Sequence, residues 1–285
     1  VKRTVITNKI YNLGNEIMTP EKLWELGRVS AEGLSADGSQ LIYGVSNYSF
    51  GENKSERNLY VVPVKGGAAV PFTTEAGGES VVHISPAGEV LYLHKGQLWT
   101  KPLKGGAAKQ LTSVDEGLEN VKISPDGKHI LFSRLVLVKK YHSPDKYTDL
   151  SKSNVYIFDD LDYRHWDSFN DGRFSHPFVA SYAEGKIGEP VDLLSGGPFY
   201  SPQAPFGGAE DFAWSPDSKA VLYVSKKKFG KEYATSTNTD IYRYDLASRQ
   251  TTNLTEGLLG YDTHPVYSPD GQRLTWLSMK TDGYE

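Results

Sequence analysis

The chain has 285 residues, no cysteine, 18 tyrosines, 28 glycines and a formal net charge of -4. Without cysteine there is no disulfide, no thiol nucleophile and no thiolate zinc site, and without a basic excess there is no electrostatic footprint for nucleic acid. No apolar run approaches the roughly 20 residues that span a bilayer, and Val1-Lys2-Arg3-Thr4 lacks the apolar core of a signal peptide.

Residues 1–17 carry no periodic pattern and are read as an arm. Met18-Thr19-Pro20-Glu21-Lys22-Leu23-Trp24-Glu25-Leu26 reads as a short helix, with Thr19 as N-cap, Pro20 at the first helical position and an end near Gly27. Arm and helix together make a first segment, 1–28.

From residue 29 to 285 the chain repeats itself. Ser35-Ala36-Asp37-Gly38, Ser85-Pro86-Ala87-Gly88, Ser124-Pro125-Asp126-Gly127, Ser215-Pro216-Asp217-Ser218 and Ser268-Pro269-Asp270-Gly271 each follow a short apolar stretch and precede an alternating one. Proline pre-sets φ, aspartate bonds the backbone two residues on, and glycine supplies the left-handed residue, so each copy is a strand, a tight turn and a strand. A second element recurs one unit apart. Leu59-Tyr60-Val61-Val62-Pro63-Val64-Lys65-Gly66-Gly67 is echoed by Leu98-Trp99-Thr100-Lys101-Pro102-Leu103-Lys104-Gly105-Gly106 and, more loosely, by Ile241-Tyr242-Arg243-Tyr244-Asp245-Leu246. Each runs on to an apolar residue and a threonine, at Phe72-Thr73, Leu111-Thr112 and Leu254-Thr255. Two hairpins per unit predict an all-β fold, a β-propeller of four-stranded antiparallel blades forming a partial ring.

The predicted units run from about Val29 to Thr74, from Val81 to Thr112, from Val121 with a resumption at Phe174 to Leu194, and from Phe212 to Thr255. A fifth opens at Pro265 and supplies only two strands. A half blade leaves open edges, which natural folds avoid, so a fragment of a longer polypeptide is expected. In the alternative, Val5 and Ile6 of the arm complete the last blade. Long middle connections are predicted at Asn47 to Asn58, Lys139 to Arg173 and Lys226 to Thr239, where a ligand or partner is met.

The connection at about 139–173 is an insertion far beyond hairpin loops of about 2 to 5 residues. It contains Phe158-Asp159-Asp160-Leu161-Asp162-Tyr163-Arg164-His165-Trp166-Asp167-Ser168-Phe169-Asn170-Asp171-Gly172. Carboxylates among aromatic rings hold cations by charge-assisted hydrogen bonds and attraction at ring faces, and a free peptide amino terminus suits that chemistry. Asp159, Asp160, Asp162, Arg164, His165, Trp166 and Asp167 are therefore the candidate binding residues. A packing role is the alternative, with Arg164 paired to an aspartate and Trp166 plugging the loop against the blade.

Motifs for other chemistry are missing. Gly33-Leu34-Ser35-Ala36-Asp37 fails the Gly-x-Ser-x-Gly elbow at its last position, and there is no phosphate loop, Gly-x-Gly-x-x-Gly or His-Glu-x-x-His. No catalytic residue, cofactor or metal is assigned. His83, His94, His129, His142 and His264 are read as structural or solvated, and His165 and His176 lack metal-site spacing.

The repeats, Met18-Thr19-Pro20-Glu21, Tyr163-Arg164-His165-Trp166-Asp167 with Asp171-Gly172 and His176-Pro177-Phe178-Val179, and Leu277-Ser278-Met279-Lys280-Thr281-Asp282-Gly283-Tyr284-Glu285 resemble the amino-terminal propeller of prolyl oligopeptidase family serine peptidases. The resemblance covers nearly all of the chain after the arm and lies closest to the dipeptidyl peptidase V-like and acylaminoacyl peptidase branch. It implies a gating and substrate-selecting propeller, inert by itself, whose partners are a peptide substrate and a carboxy-terminal α/β-hydrolase domain bearing serine, aspartate and histidine. It also implies a periplasmic or secreted setting. The turn motif is shared with TolB-like propellers, so the second expectation is a non-enzymatic module that binds another protein through its long loops.

Overall fold

The computed structural model describes residues 18–75, 77–183 and 185–283. The chain divides into two compact units, Val1–Gly117 and Leu118–Glu285. The arm, and with it the strand at Val5 and Ile6 that could complete a blade, lies outside the described residues.

In the first unit Pro20–Glu25 is helical, and the Thr19 hydroxyl accepts from the Lys22 N–H at 3.2 Å. Two antiparallel blades follow in sequential strand order. The first is Arg28–Leu34, Gln40–Ser49, Lys54–Pro63 and Val70–Pro71; the second is Glu79–Ile84, Glu89–His94, Gln97–Pro102 and Lys109–Gln110. Ile42, Leu59, Val61 and Phe72 of one pack against Val90 and Tyr92 of the other. Each such side chain contributes about 1.5–3 kcal/mol by leaving water, and Ile42→Ala would cost about 2–5 kcal/mol, the lost burial plus the part of the void that does not close.

The second unit holds the rest. The third blade comprises Glu119–Ile123, His129–Leu137, Arg173–Ala183 and Val191–Asp192, with Lys186–Ile187 folded back on the end of its third strand. The fourth comprises Phe212–Trp214, Ala220–Ser225, Asp240–Asp245 and Thr251–Asn253. Asp262–Tyr267 and Leu274–Ser278 form a two-stranded fifth sheet. Leu131, Val179, Phe212, Val221, Tyr223, Tyr242 and Tyr244 fill the space between the third and fourth sheets. Among the described residues no helix is long and apolar enough to cross a membrane.

Turn chemistry accounts for the recurrence of the same residues. The hydroxyls of Ser35, Ser85, Ser124, Ser215 and Ser268 accept from the N–H of Gln40, Glu89, His129, Ala220 and Arg273 at 2.9 to 3.0 Å, locking each hairpin across its mouth. In four copies the aspartate accepts hydrogen bonds from the serine hydroxyl and from the N–H two residues on; Ala87 forgoes this in the second. Those bonds hold Asp37, Asp126, Asp217 and Asp270 below the usual carboxylate range, Asp37 to about 2. The recurring threonines work in the same manner. Thr73, Thr112 and Thr255 accept from the buried N–H of Leu59, Leu98 and Ile241 at 2.8, 2.8 and 3.0 Å. They thereby satisfy a donor that the short fourth strand leaves unpaired.

One expectation is corrected. Asn47 to Asn58 is not an irregular loop, because the pairing of the first blade continues from Ser46↔Arg57 to Ser49↔Lys54 and only Phe50–Asn53 turns. Tyr48 stacks edge-on against Trp24 at 5.4 Å and lies under the Arg28 guanidinium, so side-chain packing extends the hairpin past the point where its polarity suggests a loop.

Candidate functional site

The insertion leaves the third blade where Val138 and Lys139 both donate to the Gly172 carbonyl, at 2.9 and 3.1 Å. Gly172 lies at φ +91 with the Lys139 carbonyl directly where a β-carbon would stand, so closing this root requires glycine. The excursion passes through the short helix Ser143–Lys146 and a single 3-10 turn, Thr148–Leu150, then returns with Ile157 N–H bonded to Tyr141 O at 2.8 Å. Phe158 is its hub: Tyr141, Tyr156, Tyr163 and Phe169 surround it with ring centroids 4.8 to 6.4 Å away.

Arg164–His165 pairs with Ser168–Phe169 in a miniature hairpin whose turn is Trp166-Asp167, with Trp166 at φ 50. That geometry points most of the candidate residues outward. Trp166 is 72% exposed, and among the described residues its ring meets only that of His165, at 4.7 Å. The Arg164 guanidinium donates to the Trp166 carbonyl at 2.8 Å and covers the Phe169 ring, and among the described residues it pairs with no aspartate. Asp167 accepts from its neighbour Ser168 at 3.1 Å. Asp159 is 81% exposed and pairs with Lys146 at 2.8 Å. These five residues do not converge on one point.

Asp160 and Asp162 turn toward the second unit's other long connection, between the second and third strands of the fourth blade. Asp160 lies against Gly230, which adopts φ +59, and a β-carbon there would strike the Asp160 carboxylate. Asp162, itself at φ 66, places Oδ2 out of contact with solvent and, among the described residues, without a hydrogen-bond partner. Asn170 ties this corner together, donating to the Asp162 carbonyl at 3.3 Å and the Tyr200 hydroxyl at 3.0 Å. Tyr200 in turn packs on Phe174 and Tyr233.

The nearby cation is Lys226. Its ammonium donates to the carbonyls of Tyr233 at 2.9 Å and Ser236 at 2.7 Å and sits 3.6 Å from the Tyr233 ring centroid. Asp282, from beyond the last strand, accepts from Thr237 and anchors the same loop. Burial raises Asp162 to about 6 despite the attraction of Lys226, and burial lowers Lys226 to about 8 despite Asp162 and Asp282. In both cases desolvation outweighs the opposite charge, because Lys226 spends its hydrogen bonds on carbonyls and reaches Asp162 only through space. Tyr141 and Tyr200 are pushed up by burial and by Asp162. The result is a desolvated carboxylate among phenol rings, with one acceptor oxygen that no hydrogen bond fills among the described residues.

Among the described residues no group of three His, Asp or Glu side chains could hold a metal. His176 is fully buried, with one ring nitrogen on Asp192 at 2.9 Å and the other on the Gly197 carbonyl at 2.9 Å, and His94 is fixed by buried Glu79 at 3.1 Å. Lys226, Tyr200, Tyr233, Tyr141 and Asn170 were not singled out from sequence. Tyr141 and Asn170 lie within the predicted insertion and Lys226 and Tyr233 within the predicted Lys226 to Thr239 connection, but residue type alone gives none of them a role.

Open four-stranded antiparallel sheets, repeated along the chain and packed face to face within each unit, define the fold as a β-propeller of four-stranded blades. No protein-family model matches the chain. It is 41% identical over 275 residues to dipeptidyl-peptidase 5 of Porphyromonas gingivalis, a match covering 95% of this chain and 40% of that protein. The acylaminoacyl peptidase of Pyrococcus horikoshii superposes with a TM-score of 0.61 at 15% identity, covering 92% of this chain and 37% of that one. A putative TolB from Agrobacterium tumefaciens gives 0.50 at 16% identity, covering 91% and 73%. The chain is a propeller region of the prolyl oligopeptidase family, related to the dipeptidyl-peptidase 5 proteins over nearly its whole length. It spans 40% of the length of those curated relatives.

Proposed function

We propose that this chain is the gating and substrate-selecting propeller of a serine exopeptidase of the dipeptidyl-peptidase type, working beside an α/β-hydrolase domain that supplies the catalytic groups, in a periplasmic or secreted setting. In this reading the insertion faces the substrate and Asp162 receives the free amino terminus of the peptide. The observation that carries it is the partly buried Asp162 carboxylate, whose Oδ2 has no partner and whose surroundings are the Tyr141 and Tyr200 phenols. In this reading a peptide ammonium supplies the missing donor to Oδ2 once the surrounding loops part to admit it. Asp159, Arg164, His165, Trp166 and Asp167 then act at the rim, where the exposed hairpin meets the body of the substrate or the neighbouring domain.

The chain alone assembles no activated nucleophile. Purified by itself, it leaves dipeptidyl and acyl-aminoacyl chromogenic substrates uncleaved and does not react with a serine-directed fluorophosphonate; labelling of the pure chain would sink this assignment.

The exposed Trp166, Phe169 and Phe206 favour a second reading, a TolB-like module that holds another protein through these rings. Under it, Asp162→Asn leaves function untouched while Trp166→Ala removes partner binding.

A further inference from the structure

A separate groove runs along the rim between the third and fourth blades and shares no lining residue with the site above. It is a cleft of about 410 Å3, within the range of roughly 300–1,000 Å3 typical of small-ligand sites. Val191, Leu193 and Phe199 form its apolar wall, and Tyr244, Thr251 and Arg249 of the fourth blade face them. Lys227 lies between the two walls.

The Lys227 ammonium sits 3.8 Å from the Tyr242 ring centroid and 5.5 Å from that of Tyr223, and among the described residues it donates one hydrogen bond, to the Tyr223 hydroxyl at 3.2 Å. An ammonium has three donors, so two remain for the groove. Neighbouring acids are committed elsewhere. Asp192 accepts from His176 and from the Leu194 N–H, both at 2.9 Å, and Asp240 accepts from Thr255 at 3.2 Å and Tyr242 at 3.4 Å. Burial lowers the pKa of Lys227, and Asp240 only partly restores it, consistent with a cation short of partners. Arg249 occupies a turn position at φ 57 that glycine fills without strain, so a second cation stands at the groove against a backbone preference.

The geometry points to a binding site for a carboxylate carried on an apolar body, with Lys227 receiving the carboxylate, Arg249 assisting from the turn, and the Val191, Leu193 and Phe199 wall covering the apolar part. The rings under Lys227 hold its ammonium in place, so little ordering is required when the anion arrives. The same wall gives the ligand's hydrocarbon somewhere to leave water.

The test is calorimetric titration of the full chain with 3-phenylpropionate and with its uncharged amide. The carboxylate is expected to bind saturably, and the amide ~10- to 100-fold more weakly, the range for losing a hydrogen bond between charged groups. Lys227→Met, which keeps the hydrocarbon over Tyr242, should show the same loss, and Arg249→Ala a smaller one. Asp162→Asn should change nothing, which separates this groove from the amino-terminus site. Melting curves establish that the variants fold; if Lys227→Met does not, the comparison of acid and amide on the unaltered chain decides alone. Absence of saturable carboxylate binding, equal binding of the amide, or a folded Lys227→Met chain that binds like the parent overturns the assignment.

Discussion

Replacing Asp162 by asparagine isolates the cost of a carboxylate held where water is scarce. Burial moves this group from 3.8 to about 6, so the folded chain binds a proton more tightly than the unfolded chain does between those values. Its favourable contribution is complete below about 4 and disappears as pH rises through about 6; above that the ionised group weighs against folding. The full displacement corresponds to about 3 kcal/mol, but the side chain partly meets solvent and screening leaves on the order of 1 kcal/mol. Asp162→Asn should therefore be more stable than the parent at pH 8 and lose that advantage at pH 4. For a domain of this size 1 kcal/mol moves Tm by roughly 2–4 °C. Thermal melts of both chains from pH 4 to 8 give the difference directly. A variant that is less stable by the same amount at every pH would show that Lys226 holds Asp162 in a net favourable pair, and the desolvation argument would fail.

Other expectations follow from the repeats. Thr73→Val strands the buried Leu59 N–H and removes a donor to Glu79, so it should cost about 1–3 kcal/mol in denaturant melts while Thr73→Ser costs little; equal effects would contradict the hydroxyl's role. Asp37, Asp126, Asp217 and Asp270 are held low by serine and backbone donors, so the stability they lend is present above about 4 and is lost as pH falls toward 2. Replacing the four together with asparagine should flatten acid unfolding over that window, and an unchanged acid transition would remove them from its cause. Ser215→Ala opens a buried turn and should cost about 1 kcal/mol, more than Ser35→Ala at an exposed one, by the same melts.

The blades were legible because each is written in local chemistry. Ser-Pro-Asp-Gly fixes a turn within four residues, and the apolar-threonine ending fixes the donor of the neighbouring strand, so copies are recognisable without knowing what they pack against. The first blade's hairpin was misjudged as a loop because Asn47, Tyr48, Ser49 and Asn58 are polar; Trp24, from a helix earlier in the chain, is what makes Tyr48 a packed residue. The insertion was visible by length and composition, yet composition could not say which of its acids turn inward. That depends on the Arg164–Phe169 hairpin, which sends Asp167 and Trp166 to its tip, and on the Lys226 connection of another blade, which closes over Asp160 and Asp162. Lys226 and Tyr200 reach the corner only through the packing of distant segments, and no spacing rule announces it.

Selection of a free amino terminus by Asp162 is measured by steady-state kinetics of the full-length protein carrying Asp162→Asn, with paired substrates differing only in a free or acetylated amino terminus. Losing a hydrogen bond between charged groups of about 1.5–3 kcal/mol predicts a fall of roughly ten- to a hundredfold in kcat/KM for the free substrate. The blocked one should stay unchanged, and Asp167→Asn, altered at the exposed hairpin tip on the rim, should affect the free and blocked substrates equally. Equal losses for the free and blocked substrates in Asp162→Asn would contradict the account and return this carboxylate to the framework of the fold.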